Sequence, residues 1–356
     1  MAEANQVRMG IVGMGIGKPN ARAIARHPRG QVVALCDLVE ERMDAFAKEL
    51  PGEVKRYTDY EAMCRDPEID AVFVGTPNQW HVPVALAAVR QDKHVLVTKP
   101  LADSEAAARQ LVEAAERAGV VNMMSLSMRF GAPCRYLQEQ ARQGAFGELY
   151  YARARSVRRN GIPAWNLGFI QQGGGAFRDM GVHVLDAVWS ILGHPRPATV
   201  TGVAGAKFGP RGRGYWQPAS RKGADQPDER VYRQFAADDY ASGFIRFEGG
   251  VGVQVESFWA SHQPGEVQIE LFGTEAGARL RPLTLYNTVD GEEQDLPVDL
   301  GQRPEGWDSI AAHFIACILD GVPCTAPLRH GLQVQVMMEA LLSSAATGGE
   351  VRIEAF

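Results

Sequence analysis

Lysine is scarce in this chain of 356 residues. Of its 37 basic residues only seven are lysine (Lys18, Lys48, Lys55, Lys93, Lys99, Lys207 and Lys222), and the rest are arginine. A genome that favours Arg codons is sufficient to explain the bias, but it makes each lysine inside an apolar stretch conspicuous. Cysteine is sparse as well. Cys36, Cys64, Cys134, Cys317 and Cys324 are an odd number, widely scattered and without a CxxC pair, so neither a disulfide framework nor a zinc site is signalled. No apolar run approaches the ~18 residues a membrane span needs. The first residues run directly into the apolar Val7–Val12 with no basic, apolar and small-residue leader pattern. Charge of one sign is also lacking: 37 basic against 42 acidic residues leave a net charge of −5, with no like-charge block. The balance excludes nucleic-acid binding by bulk electrostatics and gives no reason to expect a membrane partner. A protein of the reducing cytoplasm is the expectation.

What is present is an ordinary globular composition, 46% apolar and 22% charged, in a chain longer than one core usually supports. Val-rich runs recur at Val7–Val12, Gln31–Cys36, Ala71–Val74, His94–Val97 and Val121–Leu126, as strands buried on both faces of a parallel sheet would read. Segments with helical spacing lie between them, at Glu40–Leu50, Val82–Arg90 and Glu105–Ala118. Asp103 or Ser104 caps the last of these and Gly119 ends it. The alternation predicts a doubly wound α/β domain over residues 1–128. From residue 129 onward the pattern changes. A helix at Ala132–Gln143, strands at Leu149–Val157, Ser242–Phe247, Val251–Trp259 and Val267–Gly273, and a Gly249-Gly250 turn predict an α+β domain with a large, mostly antiparallel sheet. Helices near Trp307–Leu319 and Gly331–Ala346 close the chain and are expected to return towards the first domain.

The first strand-to-helix turn reads Gly13-Met14-Gly15-Ile16-Gly17-Lys18. Gly13 and Gly15 take the first two places of a dinucleotide fingerprint, for a tight turn and close approach to a pyrophosphate. Lys18 holds the usual place of the third glycine, and Gly17 precedes it. Asp37 ends the second strand 24 residues after Gly13, where a carboxylate accepts from an adenosine ribose diol and repels a 2′-phosphate. NAD is therefore expected, with NADP as the alternative; Asp37 as a helix cap is the competing reading.

Two further segments complete a pattern. One is Gly75-Thr76-Pro77-Asn78-Gln79-Trp80-His81 followed by Lys93 to Leu101, with Thr98-Lys99-Pro100 at its end. The other is Gly173-Gly174-Gly175-Ala176-Phe177-Arg178-Asp179-Met180-Gly181-Val182-His183-Val184-Leu185-Asp186. With the glycine turn, and with Arg129-Phe130 and Gly161 to Trp165, these segments resemble the Gfo/Idh/MocA oxidoreductases over nearly the whole chain. The resemblance implies a Rossmann domain at 1–128, a substrate-binding and oligomerisation domain at 129–356, and a homodimer or homotetramer. It also implies one catalytic set made of Lys99, Asp179 and His183. Two departures stand out: Thr98 replaces a common glutamate, and Asn20 stands where many relatives have histidine.

The residues make chemical sense of that resemblance. Oxidising a secondary alcohol needs a hydride acceptor, a base for the hydroxyl proton and a group that stabilises a developing alkoxide. Lys99 follows a buried strand at its C-terminal end, where doubly wound sheets bind ligands; a snorkelling surface lysine is the alternative. Asp179, His183 and Asp186 lie at i, i+4 and i+7 and are expected on one helical face, with His183 as acid/base and Asp179 its orienter or a partner of Lys99. Asp186 reads equally as an orienter or as a structural hydrogen-bonding group, and His183 read alone would be a core histidine. Gly173 to Gly175 are expected to let the backbone approach a ring or sugar. The cofactor contacts expected are Gly13, Gly15, Ile16, Asp37, Thr76, Asn78, His81 and Lys99, with Asn78 and His81 bordering the nicotinamide ribose unless they merely cap loop and helix. Arg158 and Trp165 are sugar-pocket candidates that could equally be surface and core. No cofactor metal is implied. The stretch Phe208–Arg233, with Arg211, Arg213, Arg221, Lys222 and Arg230, reads as an exposed loop or as a lid or subunit arm.

The function expected is NAD-dependent hydride transfer at a secondary alcohol of a sugar, polyol or inositol-like substrate. One alternative is a glycoside-cleaving enzyme that recycles NAD through transient oxidation. The other is an NAD-responsive regulator without catalysis, against which the intact Lys99, Asp179 and His183 set argues.

Overall fold

The computed structural model describes residues 5–163, 167–216, 228–303 and 306–354. The chain divides into two units, Met1–Phe130 with Pro304–Gln335, and Gly131–Arg303 with Val336–Phe356.

In the first unit strands and helices alternate: β1 (Val7–Val12), α1 (Gly17–Arg26), β2 (Gly30–Cys36), α2 (Glu40–Ala47), β3 (Lys55–Tyr57), α3 (Tyr60–Cys64), β4 (Ala71–Val74), α4 (His81–Val89), β5 (His94–Thr98), α5 (Glu105–Ala118) and β6 (Asn122–Ser125). Every β4 residue is buried, as a central parallel strand requires. The sheet order is β3-β2-β1-β4-β5-β6 and every pairing is parallel. Strand order reverses between β1 and β4, so the turns that follow these two strands meet at the topological switch point. Ser104 is the residue that caps α5, accepting from Ala107 N, and Gly119 ends the helix at φ +66°. The edge strand β3 carries charge and exposure instead of an apolar run, so the sequence pattern did not reveal it. From the later part of the chain, α9 (Trp307–Leu319) joins this unit: Ile310, Ala311, Phe314 and Ile315 share one buried cluster with Ile11, Phe73 and Leu96.

The second unit contains α6 (Ala132–Arg142), β7 (Leu149–Val157), α7 (Val182–Ile191), β8 (Pro197–Gly205), the short α8 (Glu229–Tyr232), β9 (Tyr240–Phe247), β10 (Gly252–Phe258), β11 (Glu266–Gly273), β12 (Ala276–Arg279), β13 (Thr284–Val289), β14 (Glu292–Pro297) and β15 (Val351–Arg352). The long helix α10 (Leu328–Thr347) contains the division between the two units. The nine strands form one sheet in the order β14-β13-β12-β11-β7-β10-β9-β8-β15, antiparallel except where β7 meets β10. Alternation along β7 separates a buried face (Ala152, Ala154, Ser156) from a half-buried one (Tyr151, Arg153, Arg155). The buried face packs on α7. Gly249 and Gly250, at φ +87° and +97°, make the β9–β10 turn as their sequence predicts.

Candidate active site

The glycine turn follows β1 and backs onto the loop after β4. Gly13 stands at φ +91°, and a Cβ there would lie 2.5 Å from the Gly75 carbonyl oxygen, so both backbone shape and space demand glycine. Gly13 N donates to Cys36 O and Gly75 N to Val12 O, each at 2.8 Å, closing the strand ends. Gly15 faces open space: an added Cβ would meet nothing within 4 Å, as a surface awaiting a phosphate requires. Gly17 opens α1 where a Cβ would press to 2.9 Å from Ile11 Cγ2. It therefore does the helix-to-strand packing usually done by the third glycine, which explains why Lys18 is tolerated in that place. The Lys18 ammonium sits over the Phe46 ring, 5.7 Å from its centroid. Ile16 presents a partly exposed apolar side chain at the tip of the turn.

Asp37 accepts from Met14 N at 2.8 Å through Oδ2 and from Val39 N at 3.0 Å through Oδ1. It lines a cavity of about 340 Å³ with Gly13, Leu38, Thr58, Thr76 and Trp80. Leu38, at its rim, is 88% exposed. The open Gly15 surface, the Asp37 carboxylate and this cavity together fit a bound NAD.

Lys99 is half-buried and directly follows β5, at the C-terminal end of the sheet. Asn78 begins a single 3₁₀ turn after β4, and Thr76 and Asn78 are both partly exposed. His81 departs from expectation. It is 0% exposed, and its Nδ1 and Nε2 lie 2.7 Å from Pro100 O and 2.8 Å from Thr76 O. It therefore ties the loop carrying Lys99 to the loop carrying Thr76 and does not border a ribose itself. Burial pulls the imidazolium pKa down, against the two carbonyls that favour it.

In the second unit Phe177–Gly181 forms one π-helical turn that runs directly into α7. Such turns are frequent at functional sites. Asp179 lies within it and His183 in the first turn of α7, both partly exposed. Trp259 is one partner of Asp179: its buried indole donates Nε1–H to Oδ2 at 2.9 Å. The sequence offered no sign of it, because 80 residues separate the two. Asp186 is fully buried and out of reach of a substrate.

The glycines before the π turn also depart from expectation. A Cβ on Gly174 would collide with Phe169 O, and one on Gly175, at φ +116°, would collide with the Asp238 carboxylate. Two of the three glycines thus serve internal packing; only Gly173, at φ +86°, faces open space. Asp238 accepts from Phe177 N at 2.9 Å, and burial pushes its carboxyl up to about 6. Arg158 is exposed beyond β7, its side chain against Gly161. Trp165 lies outside the described residues. Of the Phe208–Arg233 stretch, the first part is firmly held: Asp239 accepts from Lys207, Phe208 and Gly209 N–H groups, and Tyr215 is buried with its hydroxyl donating to Gly209 O. Arg221 and Lys222 lie outside the described residues.

Residues 7–126 match a family described as an oxidoreductase family with an NAD-binding Rossmann fold, and residues 134–279 match the GFO/IDH/MocA C-terminal domain. Fold and site thus define an NAD-binding oxidoreductase. The chain belongs to the Gfo/Idh/MocA family. It is 28% identical to D-glucoside 3-dehydrogenase of Escherichia coli (strain K12) over 365 residues, 98% of each chain. It is 26% identical to scyllo-inositol 2-dehydrogenase (NAD(+)) of Bacillus subtilis (strain 168) over 324 residues, covering 89% of this chain and 87% of that one. Among solved structures, levoglucosan dehydrogenase in complex with NADH and levoglucosan matches its fold with a TM-score of 0.83 at 21% identity, over 98% of this chain and 100% of that one. Among the described residues no helix is long and apolar enough to cross a membrane.

Proposed function

We propose that this protein is an NAD-dependent oxidoreductase that moves a hydride between nicotinamide and a secondary alcohol of a sugar, polyol or inositol-like substrate. The observation that carries the reading is a half-buried lysine, Lys99, placed directly at the C-terminal end of β5 in an NAD-binding sheet. Similarity over 98% of the chain to a glucoside dehydrogenase supports the substrate class.

NAD, when bound, supplies the hydride acceptor or donor. Gly13, Gly15 and Ile16 shape the turn that receives its pyrophosphate, Asp37 accepts from the adenosine ribose diol, and Thr76 and Asn78 line the loop after β4. Lys99 holds the substrate oxygen and stabilises it as negative charge develops. His183 takes the hydroxyl proton in oxidation and returns it in reduction. Asp179, itself fixed by Trp259, orients that chemistry. Asp37 favours NAD over NADP because a 2′-phosphate would meet a carboxylate.

The half-buried face of the nine-stranded sheet is the proposed interface of a homodimer or homotetramer. It carries Tyr151 in contact with both Phe244 and Phe272, and the ion pairs Arg153–Glu270 and Arg155–Glu266. Light scattering on the purified protein tests this, a monomer refuting it.

His183→Ala tests the catalytic assignment. It should lower turnover by about 10²–10⁴-fold while NAD binding, measured by calorimetry, survives. Unchanged turnover would remove His183 from the mechanism.

A further inference from the structure

Helix α9 carries His313 and Cys317 four residues apart, and so on one face. The chain then turns at Gly321, φ +65°, and brings Cys324 back to them. The imidazole, Cys317 and Cys324 donor atoms all lie within 4.8 Å of one another, and Cys317 Sγ is 3.5 Å from His313 Nε2. Little in the spacing hints at the trio: the six residues between the cysteines match no metal-binding pattern, and the histidine counts only once α9 is known to be a helix.

The group has no part in the chemistry proposed above. Cys324 Sγ lies 3.6 Å from the carbonyl of Asn122, which begins β6, whereas the cofactor turns lie at the opposite, C-terminal ends of these parallel strands. Its surroundings are nonetheless ordered. Thr325 N–H donates to His313 Nε2 at 3.0 Å with the Thr325 hydroxyl at 3.1 Å, so Nε2 carries a lone pair. Phe130 packs its ring 5.5 Å from the imidazole. Cys317 is buried, and Cys324 and His313 are partly exposed, which leaves a route in from solvent.

We propose that His313, Cys317 and Cys324 form a binding site for a thiophilic d¹⁰ cation of the zinc class, distinct from the NAD site. Tetrahedral zinc, with Zn–S near 2.3 Å and Zn–N near 2.05 Å, separates a nitrogen and a sulfur ligand by about 3.5 Å, the spacing seen between His313 and Cys317. Two thiolates and one imidazole supply three ligands, and a water takes the fourth position. On binding, the His313 lone pair passes from the Thr325 amide to the cation, and the Cys317 and Cys324 thiols each give up their proton to solvent. No electron is transferred.

The test uses the full-length protein, chelator-treated and kept reduced with a phosphine, with Co²⁺ as the spectroscopic probe. One equivalent should produce thiolate-to-cobalt charge-transfer absorption and intense tetrahedral visible bands, both abolished by one equivalent of Zn²⁺. In Cys324→Ser, at a partly exposed position, affinity should fall by more than about 100-fold, since loss of even an outer-shell partner costs about 10–100-fold. Cys317→Ser should behave alike, and Cys324→Ser should retain NAD binding. Absence of charge-transfer bands, or bands that persist in both variants, overturns the proposal. So does a mass loss of two hydrogens with no cation taken up after the phosphine is removed, which would make the pair a disulfide couple.

Discussion

Asp37 accepts a hydrogen bond from Met14 N at 2.8 Å, tying the end of β2 to the glycine turn that follows β1. The same carboxylate sits in the apolar-walled cavity beside Leu38 and Trp80, so one side chain both sets the shape of the turn and, in the proposed binding mode, presents a negative charge to the ribose. Asp37→Ser should therefore weaken NAD by about 10–100-fold, the worth of a charge-assisted hydrogen bond, and narrow or reverse the preference over NADP. Steady-state KM values for the two cofactors check this. A wild-type protein that already prefers NADP would refute the ribose argument.

Trp259 and Asp179 give a second prediction. Trp259→Phe keeps a buried ring, smaller than the indole, and removes the N–H that donates to Asp179 Oδ2. The expected outcome is a fall in kcat of about tenfold or more with the NAD dissociation constant unchanged, because the lost bond is to a charged group. Equal loss of kcat and of thermal stability would instead mark the pair as structural.

Asp238 gives a prediction of opposite sign. Its folded-state pKa is raised to about 6 from 3.8, so the folded protein holds a proton that the unfolded chain releases. Stability from this group is present at low pH and is lost as pH rises from about 4 through 6. Asp238→Asn keeps an acceptor for Phe177 N–H and removes the charge. It should stabilise the protein by roughly 1–3 kcal/mol near neutral pH, a gain that shrinks towards pH ~4, measured by urea unfolding across the range.

His94 acts in the other direction. Its Nδ1 accepts from Val121 N at 3.0 Å, which requires a lone pair, and burial lowers its pKa. The unfolded chain takes up the proton first, so stability is complete above about 6.5 and is lost as pH falls through that value. In His94→Asn the pH dependence of stability between about pH 7.5 and 5.5 should be shallower by up to ~1.4 kcal/mol per pH unit. An unchanged slope would contradict the assignment.

Much of the fold was legible because local rules and tertiary structure agree. Val-rich runs became parallel strands, Gly13 and Gly249-Gly250 became turns, and Ser104 and Gly119 bound α5. Misreadings arose where a residue type has two uses that only packing separates. Gly174 and Gly175 read as space for a ligand, yet they make room for Phe169 O and Asp238. His81 read as a ribose contact because it follows the β4 loop, but two carbonyls far apart in sequence enclose its ring. Trp259 and the Cys317–Cys324 approach were hidden for the same reason: their partners come from other elements.

The central claim is hydride transfer between NAD and a sugar or polyol, and NADH formation measures it most directly. The purified protein with NAD should be presented with a panel of sugars, inositols and glycosides while NADH absorbance and glycoside cleavage are followed together. The account predicts one NADH for each substrate oxidised with at least one panel member, and loss of that signal in His183→Ala. Glycoside cleavage without net NADH, or no NADH with any panel member despite intact NAD binding, would contradict it.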